Sequence, residues 1–188
     1  MDTWKRVKVR LVGLTPLLMH SAQNMQEQGM VKNPTKNYDH TEYAESVAYR
    51  TDKGKLFVPS RCVKRAMING SAWFKIGKKS AKQIIAGLTR IEPEEIVIKN
   101  SKGKEIKDYI IDKQPVVVNR ARIIRARPKI EEWQLEFEIL YDTRLIVPDE
   151  HLKTILEEAG MRIGLLDNRP QTYGENGTFK LDKFEVLK

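Results

Sequence analysis

Apolar and charged positions alternate with period two from Arg6 to Leu14, where Val7, Val9 and Leu11 are interleaved with Arg6, Lys8 and Arg10. That alternation predicts a half-buried strand with one basic face. From Ser21 to Lys53 the chain turns polar and is short of aliphatic residues, which reads as a long inserted loop, 21–53. Gly54 to Val58 is a short strand, and Pro59 with Ser60 marks a helix start, with Ser60 as the cap. This helix is expected to run to about Trp73. Val63, Ala66, Met67, Gly70 and Phe74 recur at three-to-four spacing and face the core, which leaves Arg61, Lys64 and Arg65 on the exposed edge.

A second helix is predicted over Ser80 to Leu88, followed by paired strands Glu94–Ile98 and Tyr109–Asp112 around the turn NSKGKE, with Gly103 at its tip. The run PVVVNRARIIRARP, Pro115 to Pro128, is β-prone throughout. Alternation puts Arg120 and Arg122 on one face and Arg125 and Arg127 on the other, and the slip in parity at Ile123 and Ile124 predicts a bulge or a bend. WQLEFEILY alternates cleanly, with Trp133, Leu135, Phe137 and Ile139 inward. Pro148 to Ala159 is an acidic amphipathic helix with Leu152, Ile155 and Leu156 on its apolar side, stopped by Gly160. A glycine-bearing tail then leads into a last strand, Thr178 to Val186. The order strand, helix, strand, strand, helix, strand predicts an α+β fold. It is a ferredoxin-like or RNA-recognition-motif-like antiparallel sheet with helices on one face, a single domain over 1–188 with the inserted loop and a thumb-like hairpin region over 109–141.

Charge sharpens this picture. Lys and Arg number 34 against 25 Asp and Glu, a formal net charge of +9. That balance suits a polyanionic partner, since each cation set against a phosphate releases condensed counterions. Cys62 is the single cysteine, so an intramolecular disulfide and a cysteine-based metal cluster are both excluded, and a reducing, cytoplasmic setting is expected. No apolar run reaches the length of a membrane span.

Three segments carry candidate chemistry. At the start of the Ser60 helix, free N–H groups with Arg61, Lys64 and Arg65 nearby form a site for a backbone phosphate, although a solvated helix with an ordinary cap explains the same residues. Four guanidinium groups in RARIIRAR repel one another unless anions or carboxylates lie between them, and a cross-strand ladder to Glu136 and Glu138 is the alternative to a nucleic acid. In the tail loop Arg169 is placed to clamp a phosphate, or YGENG is only a turn. For catalysis, His20 at the end of the first strand and Asp39 in the long loop are the candidates, with no nucleophile, base and orienter set around them, and no metal or cofactor is expected.

Read together and in this order, VRLVGLTPLLMHSAQ, KLFVPSRCVKRAMING and RIGLLDNRPQTYGENGTFKLDKFEV resemble segments of the RAMP superfamily, and in particular of the backbone subunits of CRISPR effector complexes. The match departs from the family after Pro59 and Ser60, where Arg61 and Cys62 replace its usual small residues. The resemblance implies a core that polymerises head to tail along single-stranded guide RNA beside other effector subunits. It implies that Ser60, Lys64, Arg65 and Arg169 touch the RNA backbone, and that the PVVVNRARIIRARP hairpin acts as a thumb. It also implies a possible endoribonuclease, for which Asp39 is the positional candidate. Single-stranded DNA binding, and a structural protein of a phage or mobile element, stay open.

Overall fold

The computed structural model describes residues 3–21, 39–118 and 120–187. In chain order the elements are β1 (Trp4–Gly13), β2 (Leu17–Leu18), α1 (His40–Ser46), β3 (Phe57–Pro59), α2 (Ser60–Gly70), β4 (Lys75–Ile76), β5 (Lys79–Ser80), α3 (Ala81–Leu88), β6 (Thr89–Glu92), β7 (Glu95–Val97), β8 (Ile110–Val118), β9 (Ala121–Ile130), β10 (Gln134–Asp142), α4 (Lys153–Glu158) and β11 (Phe179–Val186).

The period-two segments become the central sheet. Its order is β11-β1-β10-β6, with antiparallel pairing throughout. Taking α2 and α4 as the two helices, this is the βαββαβ arrangement of a ferredoxin-like fold. Val7, Val9 and Leu11 of β1 and Leu135, Phe137 and Ile139 of β10 are buried, and they meet Val63, Ala66 and Met67 of α2 and Ile155 and Leu156 of α4. Opposite them, the centre of the open face is held by charge. Arg6 bonds both Glu92 and Glu138 at 2.9 Å, and Arg10 and Lys99 share Glu136. The carboxylates at 136 and 138 therefore neutralise β1 and Lys99, not the RARIIRAR arginines, because β10 pairs with β1 and lies outside the β8–β9 sheet.

Four further expectations change. The inserted loop holds a helix, α1, whose N-cap Asp39 accepts from the amides of Thr41 (2.7 Å) and Glu42 (3.4 Å), which is what allows a polar stretch to turn helical. Residues 22–38 of that loop lie outside the described residues. Glu95–Val97 pairs with β3 and Ile110–Val118 with β9, so the segments flanking NSKGKE do not pair with each other, and the turn is closed by the Lys99–Glu105 bridge with Gly103 at its tip. No bulge interrupts the arginine run. It forms both arms of a hairpin in continuous register from Ile110–Lys129 to Val118–Ala121, with Arg120 in the connection at φ 67°, as tight hairpin turns require. Finally, the acidic helix does not stop at Gly160. It continues through a π-helical turn, Ala159–Ile163, and ends at Gly164 (φ 71°), while Gly160 is a point of close approach to the backbone of Phe179.

Candidate nucleic-acid interface

The sequence places two cationic segments, at 61–65 and at 169, more than a hundred residues apart, and the fold brings them together. β3 runs directly into α2, so that Arg61 and Arg65 occupy successive turns on one face of its N-terminal half. No acidic residue occupies the first turn of α2 to offset them, at the end where the helix dipole is already positive. On the other side, the chain leaves the α4 helix through Gly164, whose left-handed backbone folds the tail loop back so that Pro170 and Arg169 pack against it. Arg169 is fixed there by donating to the carbonyl of Leu166 (2.6 Å) and to Gln171 Oε1 (3.2 Å).

The result is a cleft of about 260 Å³ with Arg61, Arg65, Arg169 and Gln171 on its walls and no carboxylate among its lining residues. Cys62 sits inside it. Burial pushes its thiol up, while the guanidinium groups of Arg61 and Arg169 pull in the opposite direction, so one sulfur senses both cationic walls. Arg61 also lies within reach of the hydroxyl of Tyr49, a phenol pushed up by burial.

Ser60 and Lys64 do not join this cleft. Pro59 is the helix cap, no side-chain cap bond from Ser60 is found among the described residues, and the Ser60 amide donates to Glu94 O, just ahead of β7, at 2.8 Å. Lys64 points to the far side of α2. Its ammonium donates to the carbonyl of Ile85 (2.7 Å), to Thr89 Oγ1 (2.6 Å) and to Thr89 O, tying α2 to the end of α3. Sequence spacing assigns position 64 to the exposed edge, whereas the acceptors at the end of α3 draw it inward.

The hairpin arginines divide. Arg127 is 5% exposed, and its guanidinium donates to Asp167 at 2.8 Å, which anchors the hairpin base to the tail loop two residues before Arg169. Arg125 lies beside His20 and, after burial, is the next cause of that imidazole being held below its ordinary value. Arg120 and Arg122 are exposed towards the tip. Because Val117 is opposite Arg122 and Pro115 opposite Ile124, those four residues share one exposed face, apolar with a single cation. Among the described residues, none of Arg61, Arg65, Arg120, Arg122 or Arg125 takes part in an ion pair.

The two catalytic candidates are engaged elsewhere. Asp39 caps α1, which holds its carboxyl below the usual range, and His20 Nε2 meets Tyr43 Oη at 3.2 Å. No bond joins Asp39 to His20 among the described residues, and no group of three metal-ligating side chains is found among them. No helix among them is long and apolar enough to cross a membrane.

Three comparisons bear on this arrangement. No protein-family model matches the chain, and no curated protein matches it. Among solved structures, a chain in the cryo-EM structure of the Type III-B Cmr-beta bound to cognate target RNA superposes with a TM-score of 0.61 at 14% identity. The match covers 99% of the present chain and 61% of the other, so the present chain spans about three fifths of the length of the one it resembles. At this identity the likeness is one of architecture, and what the chain shares with that one is an α+β, ferredoxin-like fold.

Proposed function

We propose that the chain is a non-catalytic, single-stranded RNA-binding subunit that assembles head to tail along its RNA in a CRISPR effector-like complex. The observation that carries this reading is the cleft, where three guanidinium groups from two elements distant in sequence converge without a carboxylate among the lining residues. Phosphates are the complement to such a site, because they satisfy planar donors and lift the repulsion between the cations. The hairpin supplies the second surface. Its exposed face of Pro115, Val117, Arg122 and Ile124 suits contact with a neighbouring copy and with the strand that the two copies share. The open face of the sheet, which RNA-recognition motifs use for base stacking, carries ion pairs at its centre and is assigned no nucleic acid.

Binding of labelled single-stranded RNA and DNA by fluorescence anisotropy across a salt series tests the reading. Affinity falls steeply with salt. The double variant Arg61→Ala/Arg65→Ala weakens binding to all sequences and flattens the slope of log K against log salt by about 1.4, two phosphate contacts on a single strand. An unchanged slope and affinity in that variant overturns the assignment of the cleft, and a preference for DNA over RNA replaces the proposed ligand.

A further inference from the structure

Beside the cleft stands a side chain that the phosphate contacts leave unexplained. Tyr173 is fully exposed, and its backbone lies in the left-handed region at φ 64°, ψ 21°. A bulky aromatic residue is rarely found in that conformation, which glycine or asparagine adopts with less steric cost. It is held there by the short helical turn Pro170–Thr172, in which the Tyr173 amide donates to Pro170 O (3.0 Å) and the Gly174 amide closes back on Arg169 O (3.0 Å). The same turn carries Gln171 of the cleft wall. The chain thus accepts both a strained backbone and an unburied ring two residues beyond the wall of the arginine cleft.

We infer that Tyr173 is a stacking platform for the base of a nucleotide whose phosphate occupies the arginine cleft, an inference that rests on the RNA-binding reading above. Sites for single strands pair a cationic track with an aromatic face, because every base offers a π-surface whatever its sequence. The surroundings of the ring favour a base over a protein. Its neighbours Gln171, Thr172 and Glu175 are exposed and polar, so the apolar area on offer is one ring face, matched to one base and too small for a docking patch. The other strongly exposed aromatic residue among the described residues shows the contrast. Trp73, 59% exposed, already lies beneath the guanidinium of Arg162 at 5.2 Å, whereas among the described residues no ring or cation contact covers Tyr173.

The test compares Tyr173→Phe and Tyr173→Asn against two probes, a single-stranded RNA oligonucleotide and an oligonucleotide of equal length that lacks its bases. Asparagine fits the left-handed backbone, so this variant melts no lower than the parent, which separates folding from binding. The expected result is a loss of about tenfold in affinity for the RNA in Tyr173→Asn, unchanged affinity for the base-free strand, and parental behaviour in Tyr173→Phe. If Tyr173→Asn binds RNA as the parent does while Arg61→Ala/Arg65→Ala does not, the stacking role is overturned and the RNA-binding reading stands. If Tyr173→Asn changes self-association in sedimentation and leaves RNA affinity untouched, the ring belongs to a protein contact and the proposal falls. If the parent binds neither probe, both readings fall together.

Discussion

Replacing Lys64 by methionine separates the cations that hold the fold from those that face a ligand. The substitution keeps the apolar stem against α2 and removes the ammonium that bonds Ile85 O, Thr89 O and Thr89 Oγ1. Hydrogen bonds from a charged donor contribute roughly 1.5–3 kcal/mol each, but their sum overstates the loss here. Ile85 O keeps a second partner in the Thr89 hydroxyl at 2.7 Å, and the lysine is only half-buried. A net cost of about 2 kcal/mol follows, or a fall in Tm of about 4–8 °C for a domain of this size. Thermal unfolding followed by circular dichroism reads this, and RNA affinity of the folded variant stays at the parental value. The pH dependence adds a second reading. Burial first, then the charge of Arg90, pushes Lys64 down to about 8 from 10.5. Between those values the unfolded chain holds a proton that the folded chain has released, so parental stability rises with pH in this window. The methionine variant lacks that contribution, and the gap between the two widens from pH 8 to 10.5. An unchanged Tm together with weakened RNA binding refutes the reasoning and returns Lys64 to the ligand.

Three other perturbations probe the frame around the site. Gly177→Ala forces a side chain onto a left-handed backbone (φ 71°) and overlaps the carbonyl oxygen of Leu165. It is expected to cost about 3 kcal/mol in denaturant unfolding, and a neutral result denies that the tail loop packs as described. Asp167→Ala leaves the buried guanidinium of Arg127 without its carboxylate and is expected to lower stability by about 3 kcal/mol, whereas the double variant Asp167→Ala/Arg127→Met recovers part of the loss, read by the same unfolding curves. His20 is held below its ordinary value of 6.5 chiefly by burial, so its contribution is complete above pH 6.5 and is lost as pH falls through the lower folded value. His20→Gln therefore flattens the acid limb of the stability profile, and an unaltered limb excludes His20 as its source.

The central sheet was legible because period-two alternation in β1 and β10 reports burial of one face directly, and the α2 core positions followed from helical spacing in the same way. Pattern alone could not see Asp39. One carboxylate placed to accept two amides was enough to turn a polar stretch into a helix, and that signal is a single residue without an apolar stripe. Nor could it orient Lys64, which lies at the boundary of the helix face and is drawn inward by acceptors on α3. The slip in parity at Ile123 and Ile124 was misread as a bulge because apolar character does not mark burial there: β9 keeps continuous register through both residues, and Ile124 is simply an exposed isoleucine. Arg61, Arg65 and Arg169 were each visible as cations, but their meeting depends on the return of the tail loop past Gly164, a long-range event with no local signature. Tyr173 gave no signal in the sequence at all, since only its backbone angles and its exposure distinguish it from a core tyrosine.

The ion pairs across the open face of the sheet have a consequence for how the molecule meets a polyanion. By setting Glu92, Glu136 and Glu138 against Arg6, Arg10 and Lys99, the fold uses up opposite charges on that side. On the helix, tail-loop and hairpin side, Arg61, Arg65, Arg120, Arg122 and Arg125 take part in no ion pair among the described residues. In the proposed encounter with a polyanionic strand, a particle whose unpaired cations lie on one side turns in the field of the strand before any contact forms, which favours approaches with the cleft facing the phosphates. On the RNA-binding proposal the sheet contributes to the rate and direction of capture without touching the strand, and salt that screens this field slows arrival as well as hastening departure.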